Sequence, residues 1–193
     1  MNSRDHILNT IKNTNIIQET PCPKYDAVGI IYENKHEQFS QIIKTVGGEA
    51  VFCKKEDLDK TIHSLYKDEK VISCNVDGCS LGNFDANIAD QHDLKDIDLA
   101  IVKGEFAVAE NGAVWIKNEE NRHRVLYFIA QNIVIVVPKD KIVNNMHEAY
   151  KNIDFKDAGY GTFVSGPSKT ADIEQSLVIG AHGPKSGYVI FID

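Results

Sequence analysis

The chain has 193 residues and a formal net charge of −7. This length predicts one domain, and a hydrophobic fraction of 42% is enough to build a core, so disorder along the whole chain is excluded. The negative charge argues against a protein that coats nucleic acid or an anionic membrane surface.

The amino-terminal residues predict an amphipathic helix rather than a targeting segment. Ile7, Leu8, Ile11 and Ile16 recur at helical spacing among charged and amide side chains. The continuous apolar centre of a secretion signal is absent, and no run of about 18 or more apolar residues predicts a membrane span. We therefore expect a cytoplasmic protein.

The first half of the chain alternates predicted helices with short apolar strands. Helices are predicted at residues 1–20, 34–46 and 55–66, and strands at residues 27–32, 50–53 and 71–74. Such alternation is typical of a mainly parallel sheet that is covered by helices.

The second half is richer in strands. Residues 76–98 are polar and irregular, with a short helix near 83–89, and a helix is predicted at residues 141–151. The predicted strands lie at residues 99–102, 105–109, 113–116, 125–129, 133–137, 162–164 and 188–192. We predict an α/β fold, with a mixed, largely parallel sheet and flanking helices. An amino-terminal helical segment at residues 1–20 precedes a single domain at residues 21–193.

A carboxy-terminal motif carries the densest chemistry. Residues 165–174 read SGPSKTADIE, and residues 180–184 read GAHGP. Glycine and proline predict a turn, which a short helix is expected to follow, with Asp172 near its start. Backbone N–H groups at such a junction favour an anion. The predicted ligand-binding residues here are Ser165, Gly166, Ser168, Lys169, Thr170, Asp172 and Gly183. The alternative is an ordinary turn rich in helix-capping residues.

His182 lies between Ala181 and Gly183 in this motif. The charge of a histidine changes easily near neutral pH, so His182 is a candidate acid, base or anion ligand. An ordinary surface or core histidine is the alternative.

Residues 165–184, SGPSKTADIEQSLVIGAHGP, closely resemble the carboxy-terminal signature of the LUD-domain family, which includes the lactate utilization protein C group. The resemblance extends over about residues 99–193. It implies a fold like that of the NagB/RpiA/CoA-transferase group. It also implies a role in bacterial oxidation of L-lactate to pyruvate, together with iron–sulfur partner proteins.

The cysteines predict no cluster site in this chain. Cys74 and Cys79 are separated by four residues, whereas Cys22 and Cys53 are remote, and no CxxC pair occurs. We expect reduced structural thiols, no cofactor and no metal, so iron–sulfur clusters are expected only in partner proteins.

A second motif surrounds Glu110. Residues 106–115 read FAVAENGAVW, and Asn111-Gly112 is a strong hairpin signal that sets Glu110 at the mouth of a hairpin. LUD proteins resemble this segment but usually have threonine at the position of Asn111. The segment also resembles the Glu-Asn-Gly motif of coenzyme A transferases, in which the glutamate is a covalent nucleophile. Glu110 is therefore a candidate catalytic residue and Gly112 a candidate binding residue. A plain turn-flanking carboxylate is the alternative.

Arg122 and Arg124 precede the next apolar run, and either guanidinium could hold a carboxylate. LUD proteins have a similar arrangement followed by a proline–histidine segment, which residues 129–133 lack. Solvated charges are the alternative.

The polar middle segment offers further candidates. Residues 77–83 are suited to a ligand loop, and residues 77–98 as a whole to a lid or a partner surface. Asp90 and His92 could contact a divalent metal, but their spacing matches no established motif, and a solvated acidic loop is the favoured interpretation.

Three functions follow from these motifs. The first is a cluster-free component of a lactate-oxidising assembly that binds a small carboxylate or a phosphate-bearing ligand. The second is a CoA-transferase-like enzyme that uses Glu110, and the third is a non-catalytic ligand-binding or regulatory domain. The sequence leaves open whether the chain is itself catalytic and whether it forms homo-oligomers. No nucleic-acid or membrane partner is expected.

Overall fold

The structure is a computed structural model that describes residues 2–14, 29–118, 123–154, 159–171 and 177–193. The described helices are α1 (Ser3–Thr14), α2 (Lys35–Thr45), α3 (Leu58–Leu65), α4 (Leu126–Ile129) and α5 (Met146–Lys151). The described strands are β1 (Glu49–Cys53), β2 (Ile72–Cys74), β3 (Leu99–Lys103), β4 (Phe106–Val108), β5 (Ala113–Lys117), β6 (Asn132–Pro138), β7 (Ile142–Val143), β8 (Gly161–Val164), β9 (Lys169–Ala171), β10 (Leu177–Ile179) and β11 (Ser186–Ile192).

The centre of the fold is a five-stranded sheet with the strand order β1-β11-β6-β3-β2. All four of its strand pairings are parallel. Successive residues of β3 face opposite cores, since Ala100 packs on one face and Ile101 on the other. This two-sided burial explains the continuous apolar runs in the sequence. The predicted α/β fold with a largely parallel sheet is confirmed.

A second sheet, with the order β7-β4-β5-β8, packs on one face of the first. Ala107 and Val114 belong to the core between the two sheets, to which α2 contributes Phe39 and Ile43. On the outer side of the second sheet, Trp115 packs in a cluster with α5. Helix α3 covers the opposite face of the parallel sheet.

Helix α2 begins and ends where the sequence predicts. The side chain of Asn34 caps the first turn by accepting a hydrogen bond from the backbone N–H of Glu37 at 3.1 Å. Val46 is the C-cap residue of the helix, and the next residue, Gly47, adopts a positive φ of 81°. Glycine tolerates this conformation without strain, so the chain turns directly into β1.

Three elements of the second half differ from the prediction. Residues 83–89 form no helix, and a short 3-10 helix lies at Gln91–Asp96 instead. Residues 125–129 form the end of a turn and the short helix α4 rather than a strand, with Leu126 and Tyr127 buried. The predicted helix at residues 141–151 divides into β7, which pairs with β4, and α5, whose first turn is capped by Asn145. Short apolar runs do not distinguish a strand from a buried helical turn, and long-range pairing decides between them.

One further prediction was wrong for the residues that can be compared. Residues 29–32 form no strand, because side chains of the β7–α5 segment satisfy their backbone: Asn144 accepts from the N–H of Tyr32 at 3.0 Å, and Asn145 donates to the carbonyl of Ile30 at 3.0 Å. The short helix predicted to begin near Asp172 falls on residues 172–176, which lie outside the described residues. On the two sides of this gap the chain forms β9 and β10, which pair antiparallel.

The amino-terminal helix α1 buries none of its residues, and Ile7, Leu8 and Ile11 are exposed. Ile16 and the predicted boundary at residues 20–21 lie outside the described residues. Among the helices that the structure describes, none is long and apolar enough to cross a membrane.

Candidate functional site

The two motifs of the sequence meet at the amino-terminal edge of the parallel sheet. Gly48 immediately precedes β1, and a Cβ atom placed on it would lie 3.2 Å from both the Cα of Gly166 and the carbonyl oxygen of Gly187. Gly187 is the second residue of β11. The turn at residues 165–168 therefore packs where β1 and β11 of the parallel sheet begin.

A hydrogen bond joins the carboxy-terminal motif to the hairpin turn. The hydroxyl of Ser165 donates to the carbonyl of Asn111 at 2.9 Å. The side chain of Asn111 accepts from the N–H of Ala113 at 3.1 Å, which orders the turn between β4 and β5. Gly112 has a φ of 66°, and a Cβ there would approach the backbone nitrogen of Ile43 to 3.2 Å. Both motifs thus lie against α2.

Glu110 lies at the mouth of this hairpin, and its side chain is exposed. Its Oε2 atom accepts a hydrogen bond from the backbone N–H of Met146, the first residue of α5, at 2.9 Å. Its own N–H donates to the carbonyl of Asn144 at 3.0 Å. One carboxylate oxygen therefore supports the start of α5, and the predicted catalytic role stays a prediction.

The turn at Gly166 packs on the carboxyl end of α2. Gly166 has a φ of 68°, and a Cβ atom there would lie 2.8 Å from the carbonyl oxygen of Val46. The side chain of Lys169 passes the same end of the helix, with its Cε 3.7 Å from the Cβ position of Gly47. The carboxyl end of a helix carries partial negative charge, which favours this ammonium group and disfavours an anion.

Backbone groups of the turn form hydrogen bonds within the protein, whereas the sequence predicted that they would be free to bind a ligand. The N–H of Ser168 donates to the carbonyl of Pro184 at 2.9 Å, and the N–H of Gly180 donates to the carbonyl of Ser168 at 3.0 Å. Thr170 pairs with Val178 across the β9–β10 hairpin. The expected strand–turn–helix junction with outward N–H groups is absent from the described residues. Any anion there would be bound chiefly by side chains.

The GAHGP segment packs beside Ser168. A Cβ on Gly183 would lie 2.8 Å from the Cβ of Ser168 and 3.4 Å from the carbonyl of Phe128, and its φ is 155°. His182 precedes this contact and is exposed. The structure therefore packs the backbone of the residue that follows His182 against Ser168.

The two candidate arginines are not placed at the turn by the described residues. The guanidinium of Arg124 lies over the ring of Tyr160, 5.0 Å from its centroid. Tyr160 and Ser165 flank opposite ends of β8, about 16 Å apart along the strand, so Arg124 is remote from the turn. Arg122 and Asp172 lie outside the described residues.

The structure also contains a cleft of about 650 Å³ at the same edge of the sheet, which the sequence interpretation missed. Its lining residues are Asp68, Glu69, Lys70, Val71, Lys95, Asp96, Asp98, Gln131, Asn132 and Lys185. Lys185 directly follows the GAHGP segment, so continuing the motif by one residue would have found it. The other residues come from three separate connections, which only the fold brings together.

Hydrogen bonds order the wall of this cleft. Asn132 accepts from the hydroxyl of Ser186 at 2.8 Å and donates to the carboxylate of Glu69 at 3.3 Å. The phenol of Tyr66 bonds to the same Ser186 hydroxyl, and burial raises the pKa of Tyr66 to about 12. Tyr66 is thus a neutral hydroxyl at neutral pH.

Asp98 is held at the rim of the cleft. Backbone N–H groups of Val71 and Lys70 each donate to its carboxylate at 2.9 Å. These hydrogen bonds lower the pKa of Asp98 below its ordinary value, so the carboxylate is ionised at neutral pH.

The acidic middle segment forms a pair but no metal centre among the residues that the structure describes. Asp90 accepts from the backbone of His92 at 2.9 Å and lies 2.7 Å from its Nδ1 atom, and both side chains are exposed. Within the described ranges, no group of three or more His, Cys, Asp and Glu residues could hold a metal ion.

The family comparison covers both motifs and most of the cleft. The profile of the LUD domain matches residues 85–192, more than half of the chain. The chain belongs to the LUD-domain family. The matched LUD region runs from the polar middle segment to the last strand, so Glu110, the turn at residue 165 and Lys185 all lie within it.

Several curated relatives of this LUD protein are named lactate utilization protein C. "Lactate utilization protein C" of Oceanobacillus iheyensis is 32% identical over 57% of this chain and 51% of its own length. The Geobacillus thermodenitrificans protein of that name is 30% identical over 70% of this chain and 57% of its own length. The chain thus spans about half the length of these relatives. The Bacillus licheniformis protein is 25% identical over 99% of this chain and 80% of its own length.

A solved structure agrees with the LUD fold. The crystal structure of a DUF162 family protein from Deinococcus radiodurans superposes with a TM-score of 0.62. The superposition covers 82% of this chain and 96% of the Deinococcus radiodurans chain, with 16% sequence identity. At this identity the likeness concerns the fold alone, and the expected kinship with the NagB/RpiA/CoA-transferase group stays a prediction.

Proposed function

We propose that this LUD protein is a component of the bacterial L-lactate utilization system, which oxidises L-lactate to pyruvate with iron–sulfur partner proteins. The observation that carries the proposal is the family match over residues 85–192, together with relatives named lactate utilization protein C. The cysteine spacing supports partners that hold the clusters, because the chain has no cluster motif.

The proposed ligand is a small carboxylate or a phosphate-bearing molecule at the amino-terminal edge of the sheet. Lys169 and His182 are exposed residues of the carboxy-terminal motif, and Lys185, which follows the motif, lines the cleft. The protein carries a net charge of −7, so its surface gives no general attraction for an anion. Local ammonium groups must therefore supply the affinity.

Growth of the native bacterium tests the system. Deletion of the gene is expected to abolish growth on L-lactate but not on pyruvate, and the wild-type gene should restore it. Affinity purification of the tagged protein under anaerobic conditions should recover iron–sulfur proteins with it. Undiminished growth on L-lactate in the deletion strain would refute the proposed role.

Ligand binding is tested separately on the purified protein. L-lactate, pyruvate and inorganic phosphate are titrated while the melting temperature is recorded, because a ligand that binds only the folded state raises it. Lys169→Ala and Lys185→Ala should each weaken the response. Lys60→Ala is the matched control. This lysine is exposed on α3, which covers the face of the parallel sheet opposite the second sheet and does not line the cleft. Equal responses in all three variants would place the ligand elsewhere.

The second candidate is a CoA-transferase-like reaction at Glu110, favoured by the exposure of this carboxylate beside the Glu-Asn-Gly turn. The carboxylate would attack the carbonyl carbon of an acyl-CoA and expel the CoA thiolate, which leaves an acyl–glutamyl anhydride. Attack of the thiolate on the glutamyl carbonyl would then form a glutamyl thioester and release the acyl carboxylate.

Trapping distinguishes this candidate from the others. Hydroxylamine or borohydride after incubation with acyl-CoA should modify the peptide that contains Glu110, and Glu110→Gln should abolish the modification. Ligand-induced stabilisation without turnover or adduct would instead support a non-catalytic binding or regulatory domain.

A further inference from the structure

The loop after β2 folds back so that two cysteines lie side by side. Cys74 is the last residue of β2, and a turn over residues 76–79 returns the chain towards it, with the N–H of Cys79 donating to the carbonyl of Val76 at 3.2 Å. Gly78 adopts a φ of 87°, which this turn requires. Both side chains pack against the same hydrophobic cluster, and they lie close enough to influence each other's pKa.

Contacts to α3 and to the following chain fix this loop. The carboxylate of Asp59 accepts from the N–H of Ser80 at 3.0 Å and also from its hydroxyl. A Cβ on Gly82 would lie 2.9 Å from the Cβ of Cys74, so the chain beyond the turn packs directly on this cysteine. These contacts hold the two cysteines on the two sides of one short turn.

The two thiols are chemically unequal. The hydrogen bond from Cys79 lowers the pKa of the Cys74 thiol, and this outweighs burial, which raises it. The same hydrogen bond and burial raise the pKa of the Cys79 thiol. Because the thiolate is the nucleophile, Cys74 is suited to attack and Cys79 to resolve. Both residues are half-buried, so a small molecule has access to them.

We propose that Cys74 and Cys79 form a redox-active dithiol site whose oxidising substrate is a low-molecular-weight disulfide. The thiolate of Cys74 attacks one sulfur of the substrate, breaks its S–S bond and expels one thiolate, which takes up a proton. Cys79 loses its proton to water and attacks the Cys74 sulfur, which releases the second thiol. The protein thus loses two electrons and two protons, and one substrate disulfide becomes two thiols.

This dithiol site is separate from the candidate ligand site. Cys74 lies at the carboxyl end of a strand of the parallel sheet, whereas the turn at residue 165 packs where β1 and β11 begin. Oxidation of the pair and binding of a carboxylate are therefore independent measurements, and neither result depends on the proposed role in lactate utilization.

Mass spectrometry of the full-length protein tests the site. The protein is equilibrated with increasing ratios of oxidised to reduced glutathione, alkylated and digested with trypsin. Residues 71–95 contain both cysteines and no internal lysine or arginine, so they are released as one peptide. We expect this peptide to lose two hydrogens and become resistant to alkylation, and a subsequent reductant should reverse both changes.

Single variants identify the attacking and the resolving thiol. Cys79→Ser should accumulate glutathione on Cys74, and it should do so faster than Cys74→Ser accumulates glutathione on Cys79. Cys53→Ser is the matched control and should oxidise like the wild type. The proposal is overturned if the wild-type peptide stays fully alkylated at the highest ratio, or if it retains glutathione without forming the internal disulfide.

Discussion

The contact between the turn at Gly166 and the carboxyl end of α2 can be broken by one methyl group. Gly166 has a φ of 68°, and in Gly166→Ala the new Cβ would lie 2.8 Å from the carbonyl oxygen of Val46. That oxygen belongs to the capping residue of a helix whose Phe39 and Ile43 are fully buried, so it cannot yield without moving the core. We expect the variant to be destabilised through both strain and overpacking.

The magnitude follows from the two terms. An L-residue in the left-handed region costs about 1–2 kcal/mol, and forcing a methyl group into a packed contact costs about 1–3 kcal/mol. Together they predict a loss of about 2–5 kcal/mol in the free energy of unfolding. For a chain of this size, that loss corresponds to a fall in Tm of about 5–12 °C.

Thermal and urea unfolding of Gly166→Ala measure this loss directly. Gly159→Ala is the matched control, because Gly159 has no positive φ and no described atom lies within 4 Å of its Cβ position. The control should change the free energy of unfolding by less than about 1 kcal/mol. If both variants unfold at the same temperature and urea concentration, the packing of the turn on α2 is refuted.

Variants at three other positions test hydrogen bonds around the site. Ser165→Ala removes the hydroxyl that donates to the β4–β5 turn and should lower the free energy of unfolding by about 0.5–1.5 kcal/mol in urea titrations. Glu110→Ala should cost about 1 kcal/mol by leaving the N–H of Met146 without its acceptor, whereas Glu110→Gln should retain most of the stability. Backbone hydrogen bonds, the largest from Val71, lower the pKa of Asp98, so its stabilisation is present above the ordinary pKa and is lost as the pH falls through the folded value. The urea midpoint of Asp98→Asn should therefore fall less than that of the wild type on acidification, and an unchanged pH profile would contradict this assignment.

Much of the fold is encoded locally and could be predicted from the sequence. Asn34 before an amphipathic run and Gly47 after it mark the ends of α2. The continuous apolar runs of β3 and β6 predict strands that are buried on both faces, as they are in the parallel sheet. In these segments local propensity and tertiary environment agree.

The wrong elements are those in which distant contacts decide. The run at residues 125–129 is apolar enough for a strand, yet the N–H of Ile129 bonds to the carbonyl of Val125 and forms a helical turn. Ile142 lies in a helical pattern, but it pairs with Ala107 of β4. A single sequence does not contain the identity of the partner strand, so periodicity alone was misleading.

The candidate site shows the same division. Its turns at Asn111-Gly112 and at Gly166 were predicted from residue type, because each needs a positive φ. Their mutual contact through Ser165 was not, since 54 residues separate the two ends of that hydrogen bond. The cleft beside Lys185 was missed because it is assembled from separate connections.

The position of the site limits how it can bind an anion. In open parallel sheets, ligands usually bind beyond the carboxyl ends of the strands, where helices begin and offer free N–H groups. Here the turn at Gly166 meets the opposite edge and the carboxyl end of α2, whose partial negative charge repels an anion. The backbone N–H of Ser168 is also occupied by the carbonyl of Pro184.

We therefore expect Lys169 and Lys185 to contribute most of the attraction for the proposed carboxylate or phosphate ligand. The side chain of Lys169 lies against the end of α2, which partly satisfies its charge, whereas Lys185 lines the open cleft. We accordingly expect Lys185→Ala to weaken binding of inorganic phosphate or L-lactate more than Lys169→Ala, as measured by titration calorimetry. A larger loss of affinity in Lys169→Ala would show that the ligand binds at the turn. The negative end of α2 would then not determine where the anion binds.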